Sequence, residues 1–593
     1  MVLLAYLLIC GLAFGIGVAV RPSGGLARLI AIAGLAAATA AALAIGPADK
    51  IMLGDVELTG SAYSATFLAC GSGAALLTCV VGLGTRWPER LGPAALAFFG
   101  CMGVALMATD GGVALTAAAL GATTGALVYV HAGEPAGVEG GLAEIRTLAV
   151  IVGALLLATV AILRPAWASS SGDPIFVLGL LALGLAIAVR GGAVPFHGIA
   201  AHLWSRTSPA APALLLVWVP AGLGLVALSW SALTFHVSGV GMSAIVVALQ
   251  TIAAATLILG GVGALIHDDF GEIAAYSTVQ DGAFVLLALS AHSDAAAEPA
   301  RLWLLAFIAS KTALIVWVVA IGRAFGTTQI GQLRGWLRKT PILGLALAAI
   351  TVATLGWPGS AVFEARSTLI KLGLTTNLGF LGAVAMLLAI AYVGRLMVVG
   401  ALPARVTVGT SRGERPRWGR TSRGATVPTG ELAEAVGVDA TADPPPTTSA
   451  SVADAGQPGQ PEPVGAVAAR ALELGMRRRL ILVWRLNRTL EVSLVVAGGA
   501  VLALALALGG LGSASASQSG IALDAAAHAT ATPSPVPTDT PKPTPNGSLI
   551  PIVLPTDTPE PASSANPGDS SSSLDSPTPT PVRTLAPLRT IGS

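Results

Sequence analysis

A lysine in the middle of an apolar run is the residue in this chain that most demands a chemical role. Lys311 lies between Leu302 and Gly322 among aliphatic and aromatic neighbours. Asp281 sits in the apolar stretch before it, and Glu364 and Arg366 follow the interruption Gly356-Trp-Pro-Gly359. Arg190 and His197 flank a second interruption, at Pro195. An ionisable group at membrane depth is costly and by default functional. Lys, Glu and His side chains whose protons come and go near neutral pH can pass protons along through waters. Lys311 is the clearest such group, and a structural ion pair with Asp281 or Glu364 is the plainer alternative. Arginine does not release its proton in proteins, so Arg190 and Arg366 can hold a carboxylate or tune a field but cannot relay by titrating. His197 either titrates or makes a structural hydrogen bond. His202 and His267 read as loop or interface residues, and Asp268 and Asp269 as helix-capping groups.

These residues must be positioned by membrane helices. Of 593 residues, 54% are hydrophobic and 11% charged, and the mean hydropathy is +0.77. A soluble domain carries about 25% charged residues. Apolar stretches of about twenty residues recur, the length that crosses a hydrocarbon core, and uninterrupted apolar runs imply helices rather than a barrel. The spans fall at 2–20, 29–46, 62–84, 92–108, 111–131, 145–163, 174–190, 209–231, 240–266, 272–290, 302–322, 341–370, 377–402 and 491–511. The expected fold is therefore an all-α polytopic membrane protein of about fourteen transmembrane helices, at roughly 20 residues each. The first span, despite its likeness to a signal peptide's apolar core, reads as a retained membrane helix.

The net charge of +2 says little, and no basic patch interleaved with aromatics points to nucleic acid. Cys10, Cys70, Cys79 and Cys101 lie in apolar segments without metal-binding spacing and read as small buried hydrophobes. No flavin, nucleotide or cluster motif is present, so no cofactor is expected on this chain.

Proline at 195 and 358 should break the helices that carry them. Breaks at membrane depth persist only where protein or a water-filled cavity meets the freed backbone groups. Segments 92–231 and 240–402 each hold five expected helices with the break in the fourth. An odd number of crossings inverts the second copy relative to the first, and paired interruptions point to a transport site. Residues 1–91 precede these repeats as additional transmembrane helices. Residues 403–490 read as a disordered cytoplasmic loop with a basic end, either an amphipathic surface helix or a topology-setting cluster. A last crossing at 491–511 is followed by a Ser/Thr/Pro-rich tail, 512–593, expected to be extended and extracytoplasmic. Lys and Arg crowd the loops on one side, which places both termini outside the cytoplasm of an inner membrane.

Four stretches resemble the proton-translocating antiporter-like family of complex I subunits (L, M and N types) and Mrp antiporters. They are Arg190-Gly-Gly-Ala-Val-Pro-Phe-His197 with Ser208-Pro-Ala-Ala-Pro-Ala-Leu214; His267-Asp-Asp-Phe-Gly-Glu-Ile-Ala-Ala-Tyr-Ser-Thr278; Phe307-Ile-Ala-Ser-Lys-Thr-Ala-Leu314; and Ile330–Pro341 leading to Gly356–Arg366. Ala391-Tyr-Val-Gly-Arg395 leans towards the N type. The resemblance covers about residues 90–400. It implies a membrane-arm subunit of an NADH:quinone oxidoreductase-like complex of the respiratory chain, partnered by other membrane subunits and moving H⁺ or Na⁺ coupled to electron transfer on other subunits. An Mrp-type cation/proton antiporter component and a non-conducting membrane scaffold remain as alternatives. The departures are specific. The family's fifth-helix glutamate should fall near Ala119, where no carboxylate stands. Its lysine before Pro-Phe-His is Arg190, residues 209–231 hold no ionisable group, and the charged residue after the second break corresponds to Arg366. The pathway implied by the resemblance therefore comprises Arg190, His197, Asp281, Lys311, Glu364 and Arg366, with its weight in the second half.

Overall fold

Without water to satisfy the backbone, an apolar chain saves its hydrogen bonds by forming helices, and the described residues do so almost throughout. The computed structural model describes residues 1–20, 24–47, 49–81, 91–129, 135–162, 174–206, 211–231, 240–374, 378–403 and 499. The chain divides into two units, Met1–Thr532 and Pro533–Ser593, and the second lies outside the described residues. So do nearly all of the expected cytoplasmic loop and last crossing.

The helices are α1 (Val2–Ala19), α2 (Gly24–Leu43), α3 (Ala62–Val81), α4 (Leu91–Met107), α5 (Gly111–Thr123), α6 (Pro135–Ile162), α7 (Pro174–Arg190) and α8 (Gly198–Arg206). They continue with α9 (Val219–Ser231), α10 (Val240–Ile266), α11 (Phe270–Ala291), α12 (Asp294–Phe325) and α13 (Trp336–Lys339). The described set closes with α14 (Pro341–Leu355), α15 (Ala361–Gly373) and α16 (Phe380–Ala401). Ten of the described helices are long and apolar enough to cross a membrane, and Leu91–Met107, Val177–Arg190 and Pro341–Leu355 are shorter apolar helices. Together they occupy the first thirteen expected spans. The chain is a multi-pass membrane protein.

α11 and α12 form the centre, with almost every residue from Phe270 to Ser290 and from Ala300 to Gly322 buried. α10 packs closely on α11 through small residues, the device by which membrane helices approach without a hydrophobic drive. A Cβ on Gly260 would lie 2.7 Å from the backbone nitrogen of Gln280. At the N-terminal end of α11, Phe270 stacks on Trp317 at 5.5 Å, and Trp317 meets Trp336 edge-on at 5.4 Å.

Both expected interruptions occur, but glycine rather than proline ends the helix. α7 stops at Arg190, ahead of Gly192 with φ +65°, and α14 stops at Leu355, ahead of Gly356 with φ +78°. Such φ values suit glycine and terminate a helix, so each break opens a few residues before Pro195 or Pro358. The exposed amide at the first break is met: Val194 N–H donates to Thr256 Oγ1 on α10 at 3.0 Å. At the second, Ser360 caps α15 by accepting from Phe363 N–H at 3.3 Å.

Two features escaped the sequence reading. Lys50–Leu53 and Val56–Thr59 pair as an antiparallel hairpin, with Leu53 opposite Val56. Its two-residue Gly54-Asp55 loop has glycine at φ +62°, a recognised hairpin signal. A π-helical turn at Ala213–Trp218 opens the helix that continues as α9.

Candidate functional site

α11 and α12 pack against each other, and Ser277 and Asp281 of α11 meet Lys311 of α12 in one place. Lys311 is completely buried. Its Nζ lies 2.5 Å from Asp281 Oδ2 and donates to Ser277 Oγ at 2.6 Å. Ser277 and Asp281 are four residues apart on α11, so they share one face one turn apart. The lysine therefore touches a hydroxyl on the N-terminal side and a carboxylate on the C-terminal side of the same helix. Ser277 Oγ also shares a hydrogen bond with Tyr392 OH of α16 at 2.9 Å.

Asp281 has a second cation. Arg366 Nη1 lies 3.2 Å from Asp281 Oδ1 and donates to the carbonyl of Thr354 at 2.6 Å. Thr354 belongs to the last turn of α14, where carbonyls lose their helical partners. One guanidinium thus satisfies the broken helix and neutralises the central carboxylate. Its planar face rests on Phe284 and Trp303, with ring centroids 4.5 and 4.9 Å from Cζ, contacts suited to a delocalised cation. Two cations and one carboxylate therefore share a buried cluster. A proton leaving Lys311 would bring it to neutrality.

Glu364 does not join it. Its side chain is exposed in the first turn of α15, where a carboxylate complements the helix N-terminus. The helical turn that sends Arg366 inward sends Glu364 outward. Between the sequence's two candidate partners for Lys311, the structure places Asp281.

The first-half residues form a separate pair. Arg190 Nη1 donates to Glu144 Oε1 at 2.6 Å, with side chains only 2% and 1% exposed. Ala119 is buried on α5 and carries no charge. The first-half carboxylate comes from α6 instead. The sequence reading missed Glu144 because it began that span at 145, whereas α6 begins at Pro135. His197 lies in the turn after the first break, partly buried, with Nδ1 lacking a hydrogen-bond partner. Nothing among the described contacts joins it to Arg190 or Lys311.

Between pair and cluster lies an apolar seam. Residues Ala213–Val219 are buried and uncharged, and the seam's polar touch is Trp218 Nε1 donating to Thr312 Oγ1 at 2.9 Å, next to Lys311. A π-turn at a functional site is common, and this one brings Trp218 against the helix carrying the lysine. The hydroxyls of Ser277 and Tyr392 also went unread, because such residues leave no mark on hydropathy.

Residues 147–391 match the family described as NADH:quinone oxidoreductase/Mrp antiporter, TM. A subunit N of NADH-quinone oxidoreductase from Cereibacter sphaeroides is 29% identical over 369 residues, covering 57% of this chain and 74% of the relative. An antiporter subunit of Staphylococcus aureus is 29% identical over 140 residues, 24% of this chain and 28% of the relative. Among solved structures, a chain of respiratory complex I from Thermus thermophilus is similar in fold. Its TM-score is 0.55 at 18% identity, over 67% of this chain and 90% of that one. A chain of the Mrp complex from Dietzia sp. gives 0.56 at 19% identity, over 67% of this chain and 47% of that one.

Proposed function

We propose that this chain, which belongs through residues 147–391 to the proton-translocating antiporter-like family, is a membrane-arm subunit of an NADH:quinone oxidoreductase-like complex that moves protons through its second half. The observation that carries this reading is Lys311, buried between Ser277 and Asp281 with Arg366 sharing the carboxylate. Lysine can give up its proton where arginine cannot. The Lys311 cluster thus holds a titratable cation, and the Arg190–Glu144 pair does not. In this reading electron transfer resides on partner subunits, and Na⁺ is the alternative ion.

The two interrupted helices, α7 before Pro195 and α14 before Pro358, support a pair of inverted five-helix repeats, 92–231 and 240–402. The ends of the bundle also differ. Arg323 and Arg395 lie at the end where α11 begins, and the Lys/Arg bias assigns that end to the cytoplasm; the hairpin end is then extracytoplasmic. Residues 403–490 would face the cytoplasm, and the last crossing would carry the 512–593 tail outward.

The similarity to the antiporter subunit keeps an Mrp-type role in view. The non-titrating Arg190 and the apolar seam at Ala213–Val219 favour a scaffold. Purification of the tagged full chain from its own membranes tests all three. Co-purifying quinone-reductase subunits, with proton uptake coupled to electron flow in reconstituted vesicles, are the expected result. Recovery with antiporter subunits alone, or vesicles with every partner present and no ion movement, would reject the proposal.

A further inference from the structure

The position of Lys311 between a hydroxyl and a carboxylate on one helix gives its two neighbours different jobs. Asp281 neutralises charge together with Arg366 and faces the C-terminal half of α11. Ser277 faces the N-terminal half, and its hydrogen bond with Tyr392 extends the contact to α16. From Tyr392, α16 continues towards the same end of the bundle. One turn on, Arg395 donates to the carbonyls of Leu265 and His267, at 2.5 and 2.6 Å, and pairs with Asp268. Tyr276, beside Ser277, stacks on His267 at 4.6 Å. The hydroxyl side of Lys311 thus leads by short steps to a polar rim, and the carboxylate side leads into Phe284 and Trp303.

A cavity of about 20 Å³ adjoins this chain, lined in part by Lys311, Ser277, Tyr392, Thr351 and Thr354. A water needs roughly 10–15 Å³ of such space and two or more polar partners. The volume is enough for one water, and Lys311, Ser277 and Tyr392 are the polar residues of the hydrogen-bonded chain that line it.

We propose that Tyr392 and Ser277 form a one-sided proton access branch to Lys311, opening at the end of the bundle where α11 begins; this rests on the reading of Lys311 as the titrating group. The step balances without any co-reactant. Neutral Lys311 takes the Ser277 hydroxyl proton, Ser277 takes the proton of Tyr392, and Tyr392 takes one from the cavity water, itself supplied from the rim. One proton is gained by the lysine and one is lost from bulk water. Afterwards the hydrogen bonds run from the ammonium through Ser277 to Tyr392, the direction in which Lys311 donates here. Hydroxyl rotation restores the chain once the lysine is neutral again.

Silver ion, small enough to follow water and reactive with thiols, is the probe. The Ser277→Cys variant of the full chain, with Cys10, Cys70, Cys79 and Cys101 replaced by Ala, is exposed to Ag⁺ from one face of sealed vesicles at a time. Blocked thiol is then counted by alkylation after denaturation. Modification from the face bearing Arg395, and not from the hairpin face, is the expected result. Modification from the hairpin face, from both faces equally, or from neither overturns the branch. Proton flux supplies the second measurement: Tyr392→Phe keeps the ring, removes one link, and should slow flux by at least about tenfold, a modest share of what positioned proton transfer contributes. Flux unchanged in Tyr392→Phe also overturns the branch. Wild-type vesicles without flux, combined with Ag⁺ access from the Arg395 face, would defeat the proton-moving reading and leave the branch standing.

Discussion

Arg366 reaches Asp281 from beyond a broken helix, 3.2 Å from guanidinium to carboxylate, while the same nitrogen holds the carbonyl of Thr354. The break and the charge cluster are therefore one structure. Glycine-terminated α14 exposes a carbonyl, the carbonyl draws a guanidinium, and the guanidinium leaves Asp281 serving two cations. Lys311 consequently shares its counter-ion, and the loss of its proton leaves Asp281 still compensated.

Removal of the shared carboxylate should be the most damaging single change in the cluster. Asp281→Asn leaves Lys311 and Arg366 buried without an anion, and breaking a buried pair in this way costs about 3–5 kcal/mol. Adding Lys311→Met should recover part of that loss. Thermal unfolding of the purified protein in detergent measures both, and an Asp281→Asn midpoint equal to wild type would contradict the arrangement.

The first-half pair should behave as a unit. Arg190→Ala and Glu144→Gln each strand one charge, so the double variant should cost less than the sum of the singles, by about 0.5–3 kcal/mol. Strict additivity in a double-mutant cycle would show that the contact carries no energy. Arg190→Lys keeps the charge while adding a releasable proton, and proton flux in vesicles should not fall.

Glu364 distinguishes what sequence spacing suggested from what helix geometry permits. Its side chain is exposed on α15, so Glu364→Gln should change proton flux by less than about twofold, the size expected of a solvated surface charge. A loss as large as that of Lys311→Ala would place Glu364 in the path.

Close packing of α10 on α11 positions Ser277 and Asp281 and can be tested apart from charge. Gly260→Ala sets a Cβ 2.7 Å from the Gln280 backbone nitrogen, and such overpacking costs about 1–3 kcal/mol. A lower thermal midpoint in detergent is expected, and an unchanged one would mean that α10 yields freely.

Much of this was legible in the residues. The apolar runs located thirteen helices because lipid leaves the backbone few choices, and Lys311, Asp281 and Arg366 stood out because charge is rare among such neighbours. Glu144 hides at a boundary: hydropathy rises only from residue 145, yet α6 starts at Pro135. The choice between Asp281 and Glu364 depended on which way α15 leaves its break, information held in Gly356 and Ser360 rather than in spacing. Ser277 and Tyr392 were inside recognised stretches but unremarkable there, since a hydroxyl matters in a membrane helix only when its partner is known.

If Lys311 moves protons by releasing one, proton flux through Lys311→Arg is the decisive measurement. Arginine keeps the charge beside Asp281 but does not give up its proton. In reconstituted vesicles containing the assembled complex, Lys311→Arg should therefore fall to the residual flux of Lys311→Ala, at least about a hundredfold below wild type if the group contributes as positioned proton-transfer groups do. Lys311→Arg vesicles that carry protons at the wild-type rate would contradict the claim and leave Lys311 as a structural counter-charge to Asp281.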